Sequence, residues 1–117
     1  MQGMKRAVAG LLRAYLKHFP CVAVLGVRQS GKTTLLKTLP DNWSQFDLER
    51  QADYALISHD PDAFFRLHPE RVALDEAQTL PGIFPALRVA IDAHRAKKGR
   101  FVITGSSSPD LLRSVSE

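Results

Sequence analysis

The sequence has only one cysteine and no apolar segment long enough to span a membrane. The single thiol, Cys21, excludes an intrachain disulfide and a zinc site made of several thiolates. A transmembrane helix needs about 20 consecutive apolar residues, and no run approaches that length. The single cysteine agrees with a reducing compartment, and the lack of a long apolar run predicts no transmembrane helix, so we expect a cytoplasmic protein that does not insert into membranes.

The sequence also has only a small net charge and few aromatic residues. The chain has 16 lysines and arginines against 12 aspartates and glutamates, and aromatic residues make up 8% of it. No basic run is longer than the two residues of Lys97-Lys98, and no aromatic residues alternate with basic ones as in proteins that bind single-stranded nucleic acid. The composition therefore does not support nucleic-acid binding and leaves nucleic acid an unknown partner. The length of 117 residues fits one domain.

Short apolar runs typical of buried strands alternate with segments of helical spacing. The strand-like runs are 21–27, 43–48, 71–75 and 101–104, and the helical segments are 4–19, 31–39, 51–58, 61–67 and 84–94. Ser108 and Pro109 predict the start of one more helix. Regular alternation of strands and helices predicts an α/β fold with a parallel sheet covered by helices on both faces.

The segment GVRQSGKT fits the pattern G-x-x-x-x-G-K-[ST] between a predicted strand and a predicted helix. Glycines permit a tight turn whose N–H groups surround an anion, and the helix start adds its positive dipole end. Lys32 is expected to reach the β- and γ-phosphates, and the Thr33 hydroxyl to hold Mg²⁺. The candidate phosphate-binding residues are Gly26, Val27, Arg28, Gln29, Ser30, Gly31, Lys32, Thr33 and Thr34. For Arg28, pairing with a carboxylate is an equal alternative.

Two carboxylates, Asp75 and Glu76, follow the apolar run Val72-Ala73-Leu74. Ligands bind at the carboxyl ends of the strands in open α/β sheets, so both side chains are expected at the ligand edge. Asp75 is a candidate to bind Mg²⁺ through water, and Glu76 to orient or deprotonate the attacking water. Taken alone, the pair is typical of an ordinary strand end. Together with the glycine-rich loop, it favours hydrolysis of a nucleotide over phosphoryl transfer to a second substrate.

The stretch Thr104-Gly105-Ser106-Ser107-Ser108 brings hydroxyl groups to the end of another predicted strand. One interpretation is a sensor that hydrogen-bonds the γ-phosphate and the attacking water, with Ser106 as the first candidate and Thr104 and Ser107 as competitors. The other interpretation is a serine-rich turn in which Ser108 caps the next helix.

The segments GVRQSGKTTLLKTL, VALDEAQ and RFVITGSSSPDLL resemble the N-terminal ATPase domain of a group of bacterial and archaeal AAA-type ATPases. The resemblance implies ATP and Mg²⁺ as ligands and a sheet whose fourth strand lies between the first and the third. It also implies the roles of Lys32 and Thr33 as phosphate and Mg²⁺ ligands, of Asp75 as the metal carboxylate and of Glu76 as the catalytic base. A hydroxyl of the GSS segment is the implied sensor.

Members of this group continue to a fifth strand and a lid, and usually into a C-terminal domain. We therefore expect residues 1–117 to be the N-terminal part of a P-loop ATPase domain, with that C-terminal domain and further copies of the chain as partners. AAA-type arginine fingers often come from a neighbouring subunit, and the sequence does not select among its candidates, Arg28, Arg88, Arg95, Arg100 and Arg113.

Mg-ATP binding and hydrolysis is the function that these residues predict. The first alternative is a nucleotide-binding module without turnover. A small-molecule or nucleotide kinase is a weaker alternative, because no segment supplies an arginine-containing lid for an acceptor.

Overall fold

The computed structural model describes residues 2–26 and 32–106, without the side chains of residues 2–6 and 33. The helices are α1 (Gln2–Leu16), α2 (Lys32–Leu36), α3 (Gln51–His59), α4 (Pro61–Leu67) and α5 (Ile83–Ala93). The strands are β1 (Cys21–Gly26), β2 (Ser44–Asp47), β3 (Val72–Asp75) and β4 (Phe101–Ser106), and a short 3₁₀ turn spans Ala77–Thr79. No helix in these described ranges is long and apolar enough to cross a bilayer.

The four strands form one sheet in the order β1-β4-β3-β2, and every neighbouring pair is parallel. The fourth strand therefore lies between the first and the third, which confirms the order implied by the resemblance. In a parallel sheet all strands end at the same edge. The described residues at the carboxyl ends of the strands, which include Gly26, Asp75 and Ser106, are thereby brought to one edge of the sheet.

Successive residues of the central strands point to opposite faces of the sheet, and each face carries its own core. On one face α3, α4 and α5 pack against Val72, Leu74, Phe101 and Ile103. On the other face α1 and α2 pack against Ala73 and Val102. All four residues of β3 are buried, as are the first five of β4. The predicted α/β architecture with helices on both faces is confirmed.

The ends of several elements differ from the sequence prediction. Strand β4 continues to Ser106 because it pairs with β1 along its whole length, up to Gly26 opposite Ser106. Helix α2 ends at Leu36, and the chain then proceeds to Leu39 through hydrogen bonds between residues three apart. Asp60 caps α4 by accepting from the Ala63 N–H at 3.0 Å, as its position before a proline suggests. The predicted helix at Ser108 lies outside the described residues.

Helix α1 buries only part of its apolar surface. Ala9 and Leu12 are buried against α2 and the sheet. The neighbouring apolar row remains 43–51% exposed and consists of Val8, Leu11 and Tyr15 on α1 and Phe19 just beyond its end. The spacing of apolar residues thus predicts the helix correctly, but among its described side chains an apolar row remains exposed.

The segment before β4 forms backbone hydrogen bonds with the end of the connection between α1 and β1. Gly99 donates its N–H to the Phe19 carbonyl at 2.9 Å, and Arg100 donates to the Pro20 carbonyl at 3.0 Å. Gly99 has a φ of +63°, and a Cβ at this position would lie 3.0 Å from the Leu16 carbonyl oxygen. Both the backbone angle and the close contact therefore require glycine here.

Replacing Gly99 with alanine is expected to lower the free energy of unfolding by about 1–2 kcal/mol, because a side chain is strained in the left-handed region. Urea unfolding of the two proteins measures the difference. Gly82→Ala is the matched control, since Gly82 has a φ of −63° and an added Cβ meets nothing within 4 Å. We expect that control to stay within about 0.5 kcal/mol of the parent. An equal loss of unfolding free energy in Gly99→Ala and Gly82→Ala would contradict the requirement for glycine at position 99.

Candidate nucleotide site

The ends of β1, β3 and β4 bring four of the predicted site residues together. Gly26 ends β1 directly opposite Ser106 on β4. Asp75 ends β3, the next strand in the sheet, and Glu76 follows it. Lys32 approaches from the first turn of α2, which places a buried cation at the same edge.

Lys32 is held inside this edge, with only 6% of its surface exposed. Its Nζ donates to the Gly26 carbonyl at 3.1 Å and lies 3.8 Å from Glu76 Oε1. A lysine is almost never this buried unless it is paired, because removing an ammonium group from water costs free energy. The Glu76 carboxylate supplies that charge pairing. A further anion, such as a phosphate, would compete for the same ammonium group.

Thr104 joins the two carboxylate-bearing residues across the sheet. Its hydroxyl donates to Asp75 Oδ1 and accepts the backbone N–H of Glu76 at 3.0 Å. A hydroxyl has one hydrogen to donate, and the Thr104 hydroxyl donates it to the Asp75 carboxylate. Thr104 therefore orients Asp75 and Glu76, whereas the hydroxyl of Ser106 is the one that contacts the Glu76 side chain, at 3.3 Å from Oε2.

Glu76 adopts a left-handed backbone conformation, with φ 55° and ψ 52°. This region costs a residue with a side chain about 1–2 kcal/mol, and such outliers cluster at functional sites. The conformation turns the chain sharply from β3 into the 3₁₀ turn and keeps Glu76 buried, at 7% exposure. The Glu76 carboxylate is thus retained at the sheet edge next to Lys32.

Gln78 is the site residue that the sequence interpretation missed. Its Nε2 donates to Glu76 Oε2 at 2.6 Å, and its own Oε1 is buried without a hydrogen-bond partner in the described part of the chain. The signal available in the sequence was a polar residue two positions after the glutamate, in VALDEAQ. Nothing in that spacing says that the side chain turns back toward Glu76, because the turn depends on the left-handed backbone of Glu76.

A Mg-ATP site needs only a few protein ligands for its metal ion. Among the described residues, no three His, Cys, Asp or Glu side chains cluster as in an all-protein metal cage. Mg²⁺ in nucleotide sites is typically held by one or two protein ligands, substrate phosphates and water, and Asp75 at the sheet edge fits that arrangement. Thr34 is exposed on α2. The Thr33 side chain and residues Val27, Arg28, Gln29, Ser30 and Gly31 lie outside the described part of the structure.

Arg100, one of the candidate arginine fingers, has a structural role. It lies at the amino end of β4, away from the site, and is 2% exposed. Its guanidinium donates to the Pro69 carbonyl at 3.0 Å and to the Ala90 carbonyl at 2.8 Å, and it stacks over the Phe101 ring. Desolvation lowers the pKa of Arg100, and the charge of Glu70 opposes that change.

A cavity of about 290 Å³ lies between β1 and α5, on the face away from Lys32. Its lining is mainly apolar and includes Cys21, Phe84, Leu87, Ile91 and Ile103. Burial raises the pKa of the Cys21 thiol to about 12, so the group stays protonated at neutral pH. This cavity therefore lacks a reactive thiolate and is separate from the charged residues at the sheet edge.

The chain is similar to a known domain family and to two mycobacterial proteins. The family described as "AAA domain" matches residues 18–117. Uncharacterized proteins of Mycobacterium bovis and Mycobacterium tuberculosis are each 37% identical to the chain over 115 residues, which cover 97% of this chain and 26% of the relative. The chain thus spans about a quarter of the length of these curated relatives. No solved structure matches it. The family match covers most of the sequence, and the chain belongs to the AAA-domain family.

Proposed function

We propose that the chain binds Mg-ATP and that its site hydrolyses ATP. The observation that carries this proposal is the buried pair Lys32 and Glu76, 3.8 Å apart at the carboxyl edge of a parallel sheet. Membership of the AAA-domain family supports nucleotide binding by an ATPase-like domain. The finer assignment, to hydrolysis and to particular residues, rests on the chemistry of this edge.

Each residue at the edge has a role in the proposed reaction. Lys32 binds the β- and γ-phosphates, while Asp75 and the Thr33 hydroxyl hold Mg²⁺ through direct or water-mediated contacts. The N–H groups of the loop surround the phosphates; its residues are Gly26, Val27, Arg28, Gln29, Ser30 and Gly31, with Thr34 beyond it. Ser106 acts as the sensor of the γ-phosphate.

Glu76 is the proposed general base. It removes a proton from a water molecule whose oxygen attacks the γ-phosphorus, and the bond from that phosphorus to the β–γ bridging oxygen breaks. The products are ADP and inorganic phosphate. Bound Mg²⁺ supplies charge neutralisation for the phosphate oxygens during this transfer.

A nucleotide-binding module without turnover is the second candidate function. The observation that favours it is that Glu76 already contacts Lys32, Gln78 and Ser106, so its carboxylate must be released from Lys32 before it can act on water. Release of inorganic phosphate from Mg-ATP by the purified chain separates the two candidates. Steady multiple turnovers support hydrolysis, while tight binding without phosphate release supports the module.

We also propose a cytoplasmic protein that associates with other copies of itself or with the remainder of a longer chain. The exposed apolar row of α1 supports association, because such patches commonly mark contact surfaces. Light scattering of the purified chain tests self-association, and a monodisperse monomer would count against it.

A further inference from the structure

The Glu76 carboxylate is held at both of its oxygens. Oε2 accepts a hydrogen bond from Gln78 Nε2 at 2.6 Å and a longer one from Ser106 Oγ at 3.3 Å. Oε1 faces Lys32 Nζ at 3.8 Å, and the Glu76 side chain is 9% exposed. The hydrogen bond from Gln78 is the shorter of the two contacts to Oε2. Gln78 therefore contributes more than Ser106 to the orientation of the carboxylate, in which Oε1 faces Lys32.

The orientation of the Gln78 amide follows from chemistry. A carboxylate oxygen only accepts hydrogen bonds, so the NH₂ group of Gln78 must face Glu76 and the amide oxygen must point away. That amide oxygen is buried without a partner in the described part of the chain, which costs free energy. Within the described residues, Gln78 thus contacts Glu76 through its NH₂ group while its amide oxygen has no partner.

Lys32 has two competing anions in the proposed function. In the structure Lys32 Nζ lies 3.8 Å from Glu76 Oε1, whereas in a complex with nucleotide it would bind phosphate oxygens. Phosphate binding must therefore displace Lys32 from Glu76. Every contact that keeps Glu76 facing Lys32 makes this displacement more costly.

We propose that Gln78 is a positioning residue that holds Glu76 against Lys32 before phosphate binds and orients the same carboxylate for catalysis once Lys32 binds phosphate. This inference rests on the proposed function of the site. After the exchange, Gln78 still occupies Oε2, which leaves Oε1 directed into the space that Lys32 has left. Gln78 therefore lowers the affinity for ATP and raises the turnover rate, two effects of opposite sign.

Gln78→Met tests this proposal, because methionine has a similar length and no hydrogen-bond donor. We expect the variant to bind Mg-ATP up to about tenfold more tightly, because the ion pair between Lys32 and Glu76, which competes with phosphate, is populated in a smaller fraction of the molecules. We expect its kcat to fall by about tenfold to a hundredfold, since the base is no longer oriented. Calorimetric titration gives the affinity, and phosphate release gives the rate. A purely structural role for Gln78 would weaken both.

Two further variants sharpen the test. Gln45→Met is the matched control: it also removes a glutamine donor, the 2.8 Å bond to the Leu36 carbonyl, but it lies on β2 outside the site. We expect its ATP affinity to match that of the parent within about twofold. Gln78→Ala removes the same donor in a smaller side chain and is expected to give the same two signs as Gln78→Met.

A double-mutant cycle with Glu76→Gln decides whether Gln78 acts through Glu76. In the Glu76→Gln background, Gln78→Met is expected to change ATP affinity by less than about twofold. An undiminished effect in that background, or unchanged affinity in both single Gln78 variants, would overturn the inference while leaving the proposed function intact. A parent chain that does not bind Mg-ATP would overturn the proposed function itself, and the inference with it.

Discussion

Glu76→Gln is expected to reduce ATP hydrolysis by about 10²- to 10⁴-fold while preserving Mg-ATP binding. Glutamine has the same shape as glutamate but cannot accept the proton of the attacking water. It also removes the negative charge 3.8 Å from Lys32, so ATP affinity should stay the same or increase. Opposite effects on rate and affinity are the expected signature of a base that also pairs with the phosphate-binding lysine.

Phosphate release under saturating Mg-ATP measures the rate, and calorimetric titration measures the affinity. Glu70→Gln is the matched control, because Glu70 is an exposed glutamate that pairs with Arg71 and Lys97 at the opposite edge of the sheet. We expect this control to hydrolyse ATP at the parental rate. Parental turnover in Glu76→Gln would exclude Glu76 as the base.

Thr104→Val is expected to lower the free energy of unfolding by about 2–4 kcal/mol and kcat by about a hundredfold. Valine has nearly the shape of threonine, but it cannot bond the Asp75 carboxylate or accept the Glu76 N–H. Both groups are buried, so each would lose a hydrogen bond without gaining water. The Glu76 N–H also belongs to the residue in the left-handed conformation, whose position would then be less well fixed.

Thr104→Ser provides the control for this prediction. Serine keeps the hydroxyl and loses only the methyl group, so we expect most of the parental rate together with a modest loss of stability. Urea unfolding and phosphate release measure the two properties in all three proteins. If packing alone mattered at this position, valine would be tolerated and serine would not. That reversed order would refute the bridging role of Thr104.

Much of the fold could be predicted from the sequence because its elements have strong local signals. The apolar runs at β1 and β3 are too short for helices and are followed by polar residues, which identifies them as buried strands. Asp60 followed by Pro61 marks the start of α4 through local capping chemistry. The strand order, in contrast, came from the resemblance, since periodicity alone does not say which strands are neighbours.

The details of the site were less predictable because they depend on contacts between distant residues. The sequence presents Thr104 only as a competing sensor, yet its hydroxyl bridges Glu76, 28 residues away, and Asp75, 29 residues away. That role follows from the position of β4 beside β3, which sequence spacing does not contain. Likewise, the contact of Gln78 with Glu76 depends on a left-handed backbone at a non-glycine residue, which has no sequence signature.

The most direct test of nucleotide binding at this edge is calorimetric titration of Mg-ATP into the chain and into its Lys32→Ala variant. We expect saturable binding by the parent and a loss of affinity of at least about tenfold in the variant, because Lys32 supplies the buried positive charge of the site. Equal affinity in the two proteins, or no binding to the parent, would contradict a phosphate site built on Lys32.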